Sequence, residues 1–250
     1  MVSIDLNSDI GESYGRYHLG NDAEIISLVS SCNIACGFHA GDPNVMAKTV
    51  QLAEKAGVGI GAHPGFPDLN GFGRRYIQMD AESVTDMVTY QVAALAGFTK
   101  GHRLHHVKPH GALYNAAGKD INLARAICKG IQNVDSHLLV YGLSNSQLVL
   151  AAQEFGLPVV SEVFADRNYQ ADGTLVPRSQ PNAVISDPEL IAKRTVEMIK
   201  NHSVTAITGE TVSLQVDSIC VHGDNQKALA IVRRLVDQLK LDSITINKAK

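Results

Sequence analysis

Short apolar segments alternate with amphipathic segments along the whole 250-residue chain. The apolar segments have the length of β-strands, and the segments between them carry apolar residues at three- and four-residue steps. This alternation is typical of parallel sheets in which a helix connects each strand to the next. The predicted strands are residues 2–7, 31–36, 57–62, 104–108, 137–141, 158–163 and 217–221. Two of the helical repeats are Val84, Met87, Val88, Val92, Leu95 and Ile231, Val232, Leu235, Val236, Leu239.

Seven strands and this chain length predict an α/β fold, a single seven-stranded (β/α) barrel domain over residues 1–250. A short stretch at residues 244–246 is a candidate for an eighth strand. An open doubly wound sheet is the alternative, because periodicity alone does not separate the two architectures.

One interval departs from the alternation. Residues 164–186 are polar and rich in Gly, Pro, Asp and Arg, and they far exceed the ~2–6 residues of an ordinary βα loop. Loops of this kind commonly form lids or binding loops. Residues 204–216 predict a hairpin before the last strand. Asp42-Pro43 and Asp187-Pro188 each predict a helix start, with aspartate as the N-cap and proline at the first helical position.

Composition excludes several classes of partner. The net charge of −3 leaves no basic surplus for a phosphate backbone, so we expect no nucleic-acid partner. No apolar run approaches the ~18–20 residues that cross a bilayer, and the start of the chain lacks a signal-peptide pattern, so we expect no membrane partner. Cys32, Cys36, Cys128 and Cys220 lie in apolar or helical patterns, which predicts buried thiols. We predict a cytoplasmic protein.

Four predicted strands end in or just before a histidine: His39, His63, His110 and His222. Because the carboxyl ends of barrel strands meet at one rim, we predict that the four imidazoles share one site. The residues with no such placement, for which a surface or core position fits better, are His18, His102, His105, His137 and His202.

The first strand carries polar residues on one face. Asp5, Asn7 and Asp9 point to the same side, because side chains alternate along a strand. A barrel interior is normally filled by branched aliphatic residues, so these groups need a ligand, a cation or hydrogen bonds. A carboxylate with two imidazoles is a metal-binding pattern, so a divalent ion at the rim is one interpretation, with its identity open. The structural alternative is that Asp5 only fixes neighbouring loops.

Cations follow other predicted strands. Lys108 precedes a proline, which holds it extended beside His110. Arg167 comes directly after a strand, next to Asp166, and is our first candidate for binding an anionic group; Arg178 lies in the same long loop. Cys36 with His39 could form a thiolate pair, although a cysteine that ends an apolar run is more typical of packing. Neither a P-loop nor a Gly-x-Ser-x-Gly motif is present in the sequence.

Seven separated motifs, in order between Ile4 and Asp224, resemble the LamB/YcsF lactam-utilisation family. They are residues 4–7, 33–42, 61–64, 106–115, 162–173, 175–178 and 221–224. The resemblance implies a seven-stranded barrel of the glycoside hydrolase and deacetylase type. It also implies ATP-dependent ring opening of 5-oxo-L-proline to L-glutamate, in a 5-oxoprolinase with two further subunits, B and C. ATP is then a co-substrate, with Mg²⁺ bound to the nucleotide, and the nucleotide site stays open.

In this hypothesis Arg167 or Lys108 holds the substrate carboxylate and the developing phosphate charge, and Asp5 or Glu162 is the general base. The histidines polarise the amide oxygen and protonate the leaving nitrogen. The candidate catalytic residues are Asp5, Asn7, His39, His63, Lys108, His110, Glu162 and His222. The candidate substrate-binding residues are Asp9, Asp166, Arg167 and Arg178. Two alternatives remain, a metal-dependent deacetylase of an acylated sugar and a non-catalytic component that captures 5-oxoproline for its partners.

Overall fold

Seven parallel strands close into a barrel in the computed structural model, which describes residues 2–221 and 228–250. Each strand pairs with the next along the chain, and the last pairs with the first through the register Asp5↔Ser218 to Ser8↔Val221. The predicted (β/α) barrel is therefore confirmed, and the open sheet is wrong. The ring consists of β1 (Ser3–Ile10), β2 (Ser31–Ala35), β3 (Gly59–His63), β4 (His106–Val107), β5 (Leu139–Leu143), β6 (Val159–Phe164) and β9 (Ser218–Val221).

In the part of the chain that the structure describes, three further strands lie outside the ring. β7 (Ser203–Thr205) and β8 (Thr211–Ser213) form an antiparallel hairpin, which confirms the hairpin predicted before the last barrel strand. β10 (Thr245–Ile246) pairs with the amino end of β1. The candidate eighth strand is therefore present as β10, but it lies outside the barrel ring, because β9 and β1 pair directly and leave no gap for it.

Helices surround the barrel and bury their apolar faces against it. The predicted repeats in α3 (Ala81–Ala96) and α8 (Ala228–Leu241) are buried as expected, and each such aliphatic side chain contributes roughly 1.5–3 kcal/mol. Asp42 and Asp187 cap α2 (Pro43–Ala56) and α7 (Pro188–Asn201) through their carboxylates, as predicted. The helices are α1 (Asp22–Ile26), α2 (Pro43–Ala56), α3 (Ala81–Ala96), α4 (Gly111–Ala117), α5 (Ile121–Val134), α6 (Gln147–Glu154), α7 (Pro188–Asn201) and α8 (Ala228–Leu241). Within residues 2–221 and 228–250, no helix has the length and apolar character needed to cross a bilayer.

The long loop between β6 and α7 is held against the barrel. Backbone bridges join Arg167 to Val184 and Tyr169 to Leu175, so the loop folds back on itself. Tyr169 is fully buried, and its hydroxyl oxygen accepts a hydrogen bond from the backbone nitrogen of Phe164 at 2.8 Å. These contacts place the loop beside the carboxyl ends of the strands.

Candidate functional site

A cavity of about 420 Å³ lies at the carboxyl ends of the barrel strands. This volume falls within the range of small-molecule sites in proteins. The long loop after β6 forms one wall, and residues that follow β3 and β4 form the opposite side. The charged residues that line the cavity are Asp9, Arg74, Lys108, Lys119, Arg167, Asp172 and Arg178. Five of these are cationic and two are acidic, so the cavity favours an anionic ligand.

Lys108 stands between two buried carboxylates at the bottom of this cavity. Its ammonium nitrogen lies 3.0 Å from Asp9 Oδ1 and 2.9 Å from Glu162 Oε1. Burial alone would lower the pKa of Lys108, but the attraction of these carboxylates outweighs it, and the pKa lies well above its usual value. Lys108 is therefore a permanent cation, and it lines the cavity.

Glu162 is fully buried behind Lys108. Its Oε1 accepts hydrogen bonds from Asn7 Nδ2 and Lys108, and its Oε2 accepts one from the Tyr114 hydroxyl; the contacts with Asn7 and Tyr114 are both 2.8 Å long. Burial and the charge of Glu162 raise the pKa of Tyr114 well above its usual range, so the phenol keeps its proton. The cavity therefore meets the donors Lys108 and Tyr114 instead of the carboxylate that they bind.

Asp5 lies deeper in the barrel and is not among the residues that line the cavity. Its Oδ1 accepts hydrogen bonds from Ser30 and Ser31 at 2.7 Å. Its Oδ2 accepts one from Tyr141 at 3.1 Å and a short one from Ser218. These donors occupy the carboxylate on both oxygens. The geometry therefore differs from the expectation that Asp5 reaches a substrate as general base.

Three histidines and a glutamate form a buried cluster beside the cavity. The ring of His39 stacks on that of His110, with 3.7 Å between centroids, and His110 Nδ1 lies 2.9 Å from His63 Nε2. Glu12 Oε1 lies 3.5 Å from His39 Nε2 and 3.6 Å from His110 Nδ1. Burial lowers the pKa of His39 and of His110 well below the usual value, so these rings are neutral near pH 7. Neutral imidazoles and a carboxylate could hold a metal ion.

Arg167 is buried in the long loop and also lines the cavity. Its Nη2 donates to the Val176 carbonyl at 2.6 Å, and its Nε donates to the Ala183 carbonyl at 3.2 Å. Burial lowers the pKa of Arg167 to about 10, which leaves the guanidinium charged at neutral pH. The two carbonyls fix the plane of the guanidinium group toward the cavity.

The structure brings most of the predicted site residues together. The predicted residues that line the cavity are Asp9, His63, Lys108, His110, Arg167 and Arg178. Those buried behind its wall are Asn7, His39, Glu162 and Asp166. His222 lies outside the described residues. The thiolate pair of Cys36 and His39 is wrong, because burial raises the pKa of Cys36 to about 12 and its Sγ contacts the Ile34 carbonyl oxygen at 3.2 Å. All four cysteines are free and buried, as predicted.

Several polar residues of the site were missed from sequence. Glu12 follows β1 by two residues, beyond the alternation that identified Asp9. Tyr114 lies one helical turn after His110, which was a usable signal, since that turn faces the same rim.

Asn33 donates to Asp9 Oδ1 at 2.7 Å, and His106 Nε2 lies 2.6 Å from Asn33 Oδ1. Asn33 lies in the middle of β2 and His106 is the first residue of β4, so a rule based on the carboxyl ends of strands did not select them.

Fold and site together define a (β/α) barrel protein with a cationic small-molecule cavity at the carboxyl ends of its strands. The LamB/YcsF family model matches residues 4–250, and the chain belongs to this family. It is 65% identical over 246 residues to the A component of the 5-oxoprolinase of Limosilactobacillus fermentum, covering 98% of this chain and 99% of that protein. The A component of the 5-oxoprolinase of Pyrococcus abyssi is 55% identical over 242 residues, and the match covers 95% of each of the two chains. The crystal structure of a lactam utilization protein from Thermus thermophilus superposes with a TM-score of 0.93 at 42% identity, covering 98% of this chain and 99% of that one.

Proposed function

We propose that this chain takes part in the ATP-dependent ring opening of 5-oxo-L-proline to L-glutamate, together with two further subunits, B and C. The observation that carries the proposal is the cavity with five cationic and two acidic side chains at the barrel mouth. A substrate carboxylate and a transferred phosphoryl group are both anionic, and both need such a lining. Relatives of this chain that are named as 5-oxoprolinase components supply the identity of the substrate.

ATP accounts for the difficulty of the reaction. In the proposed sequence, the γ-phosphoryl group of Mg²⁺-bound ATP passes to the amide oxygen of the lactam, which leaves ADP. Water then adds to the activated carbon and the carbon–nitrogen bond breaks, so that the ring nitrogen becomes the amine of an acyl phosphate, γ-glutamyl phosphate. A second water hydrolyses this acyl phosphate to glutamate and phosphate. Lys108 lines the cavity, and its positive charge stabilises the negative charge that develops on oxygen.

The general base is assigned to Asp9 in this proposal. Of the three buried carboxylates Asp5, Asp9 and Glu162, Asp9 lines the cavity. Asp5 and Glu162 are separated from the cavity by the groups that donate hydrogen bonds to them. Asp9 Oδ2 lies 3.5 Å from His63 Nε2, which places this base beside the histidine cluster. Arg167 binds the substrate carboxylate from the long loop.

The proposal is tested by reconstitution. The purified chain, its B and C partners, labelled 5-oxoproline and MgATP are combined in all pairwise and complete mixtures, and glutamate and ADP are measured. Equimolar glutamate and ADP from the complete mixture are expected. Acetate release from an acetylated sugar by the chain alone, without ATP, would instead favour the deacetylase. If cavity variants weaken 5-oxoproline binding but keep the full turnover rate at saturating 5-oxoproline, the chain is instead a non-catalytic component that captures the substrate.

Arg167→Met is expected to weaken 5-oxoproline binding about 30-fold, because a charge-assisted hydrogen bond of about 2 kcal/mol is lost. Equilibrium dialysis of labelled 5-oxoproline against the reconstituted complex measures this affinity. Arg178→Met is the matched control: Arg178 is exposed on the same wall, where water screens its charge, and a change below about threefold is expected. Equal losses in both variants would contradict the assignment of Arg167.

A further inference from the structure

Two histidine nitrogens point their lone pairs at each other beside the cavity. His63 Nδ1 lies 2.7 Å from the carbonyl oxygen of Lys108, and His110 Nε2 lies 2.8 Å from that of Phe72. Since a carbonyl only accepts hydrogen bonds, both of these nitrogens carry a proton. The remaining nitrogens, His63 Nε2 and His110 Nδ1, then carry lone pairs only 2.9 Å apart. This contact is repulsive unless a metal ion occupies the space that both lone pairs face or a proton is shared between the two nitrogens.

The imidazole of His39, beside His63 and His110, lacks hydrogen-bond partners among the described residues. His39 is 1% exposed, and neither of its ring nitrogens has a hydrogen-bond partner among the residues that the structure describes. A buried polar atom without a partner costs roughly 1–3 kcal/mol. The His39 ring is held by its stacking on His110, so its Nε2 stays directed at Glu12 Oε1, 3.5 Å away.

We propose that Glu12, His39, His63 and His110 bind one divalent first-row transition-metal ion, for which Zn²⁺ is the best match. Three imidazoles and one carboxylate are donors that this class of ion prefers, whereas Mg²⁺ prefers oxygen ligands. The four ligand atoms lie within 4.8 Å of one another. In tetrahedral coordination two ligand atoms of one zinc ion lie about 3.4 Å apart, so the widest pair closes by up to about 1.4 Å when the ion binds.

The carbonyls that fix the histidine tautomers also act as the outer contacts of the metal site. Lys108 and Phe72 accept the protons of His63 and His110, and this orients the free nitrogens inward and raises their basicity. His63 and His110 line the cavity, so an ion bound to them would be accessible to a small molecule in the cavity. An ion in this position supplies a Lewis acid for a carbonyl or phosphoryl oxygen.

Metal binding by the isolated, untagged chain tests the inference without reference to any reaction. After treatment with a chelator and dialysis, Co²⁺ titration is expected to give one equivalent of bound ion with visible d–d absorption, and Zn²⁺ should displace it. Glu12→Gln and His39→Ala are each expected to weaken Co²⁺ binding at least ~100-fold. His137→Ala is the matched control, because His137 is exposed and distant from the cluster, and it should bind as the parent chain does.

Circular dichroism of each variant verifies the fold, and Glu12→Gln keeps the shape of the side chain in case the histidine variant does not fold. Absence of Co²⁺ binding in the folded parent chain would overturn the inference, and so would unchanged binding in folded Glu12→Gln. In that case a proton shared by His63 and His110 explains their contact. Failure of metal binding leaves the ring-opening proposal intact, and failure of the ring-opening assay leaves the metal site intact.

Discussion

Lys108→Met is expected to lower kcat/KM for 5-oxoproline in the reconstituted complex by about 10²–10³-fold. The ammonium group lines the cavity and contacts both Asp9 and Glu162, and loss of one preorganised group that stabilises a developing oxyanion has effects of this size. The same substitution is expected to lower the free energy of unfolding by about 3–5 kcal/mol, because Asp9 and Glu162 then remain buried without their shared cation. Urea unfolding and steady-state kinetics below the transition measure the two effects separately.

A second variant separates stability from chemistry. In Lys108→Met/Glu162→Gln the buried ammonium and one buried carboxylate are removed together, so part of the lost stability should return while turnover stays low. Lys119→Met is the matched control, since Lys119 is an exposed lysine on the same cavity, and we expect a change within about threefold. Turnover that recovers along with stability in the double variant would show that Lys108 only supports the fold.

Much of this architecture follows from local patterns in the sequence. The alternation of strands and helices and the aspartate caps need only short-range information, and the structure agrees at β1, α2, α3, α7 and α8. Parallel strands in a closed ring end at one rim, so residues at the ends of β3 and β4 meet in space although 47 positions separate His63 from His110.

The alternation of side chains along β1 did not predict how deep in the barrel each carboxylate lies. Alternation places Asp5 and Asp9 on the same inward face, but four residues of strand separate them by about 13 Å along β1. One therefore lies at the mouth and the other near the opposite end, a distinction that requires the true end of the strand, Ile10. Glu12 and Tyr114 were missed for a related reason, because their positions depend on the path of the chain beyond the strands.

Asp5→Ala is expected to lower the free energy of unfolding by about 3 kcal/mol. The hydroxyl groups of Ser31, Tyr141 and Ser218, on three other strands, would lose the carboxylate that accepts their hydrogen bonds. We propose that Asp5 holds β1, β2, β5 and β9 together at the end of the barrel away from the cavity. Turnover per folded molecule should then stay within about threefold of the parent chain.

Urea unfolding gives the first quantity, and kcat measured per folded chain at low temperature gives the second. Asp86→Ala is the matched control, since Asp86 is exposed on α3 and its removal should change stability by less than about 0.5 kcal/mol. The opposite outcome, in which Asp5→Ala keeps its stability but loses turnover, would assign Asp5 to the chemistry. A carboxylate surrounded by Ser31, Tyr141 and Ser218 has its lone pairs committed to the scaffold, and this is why we expect the loss in folding energy instead of rate.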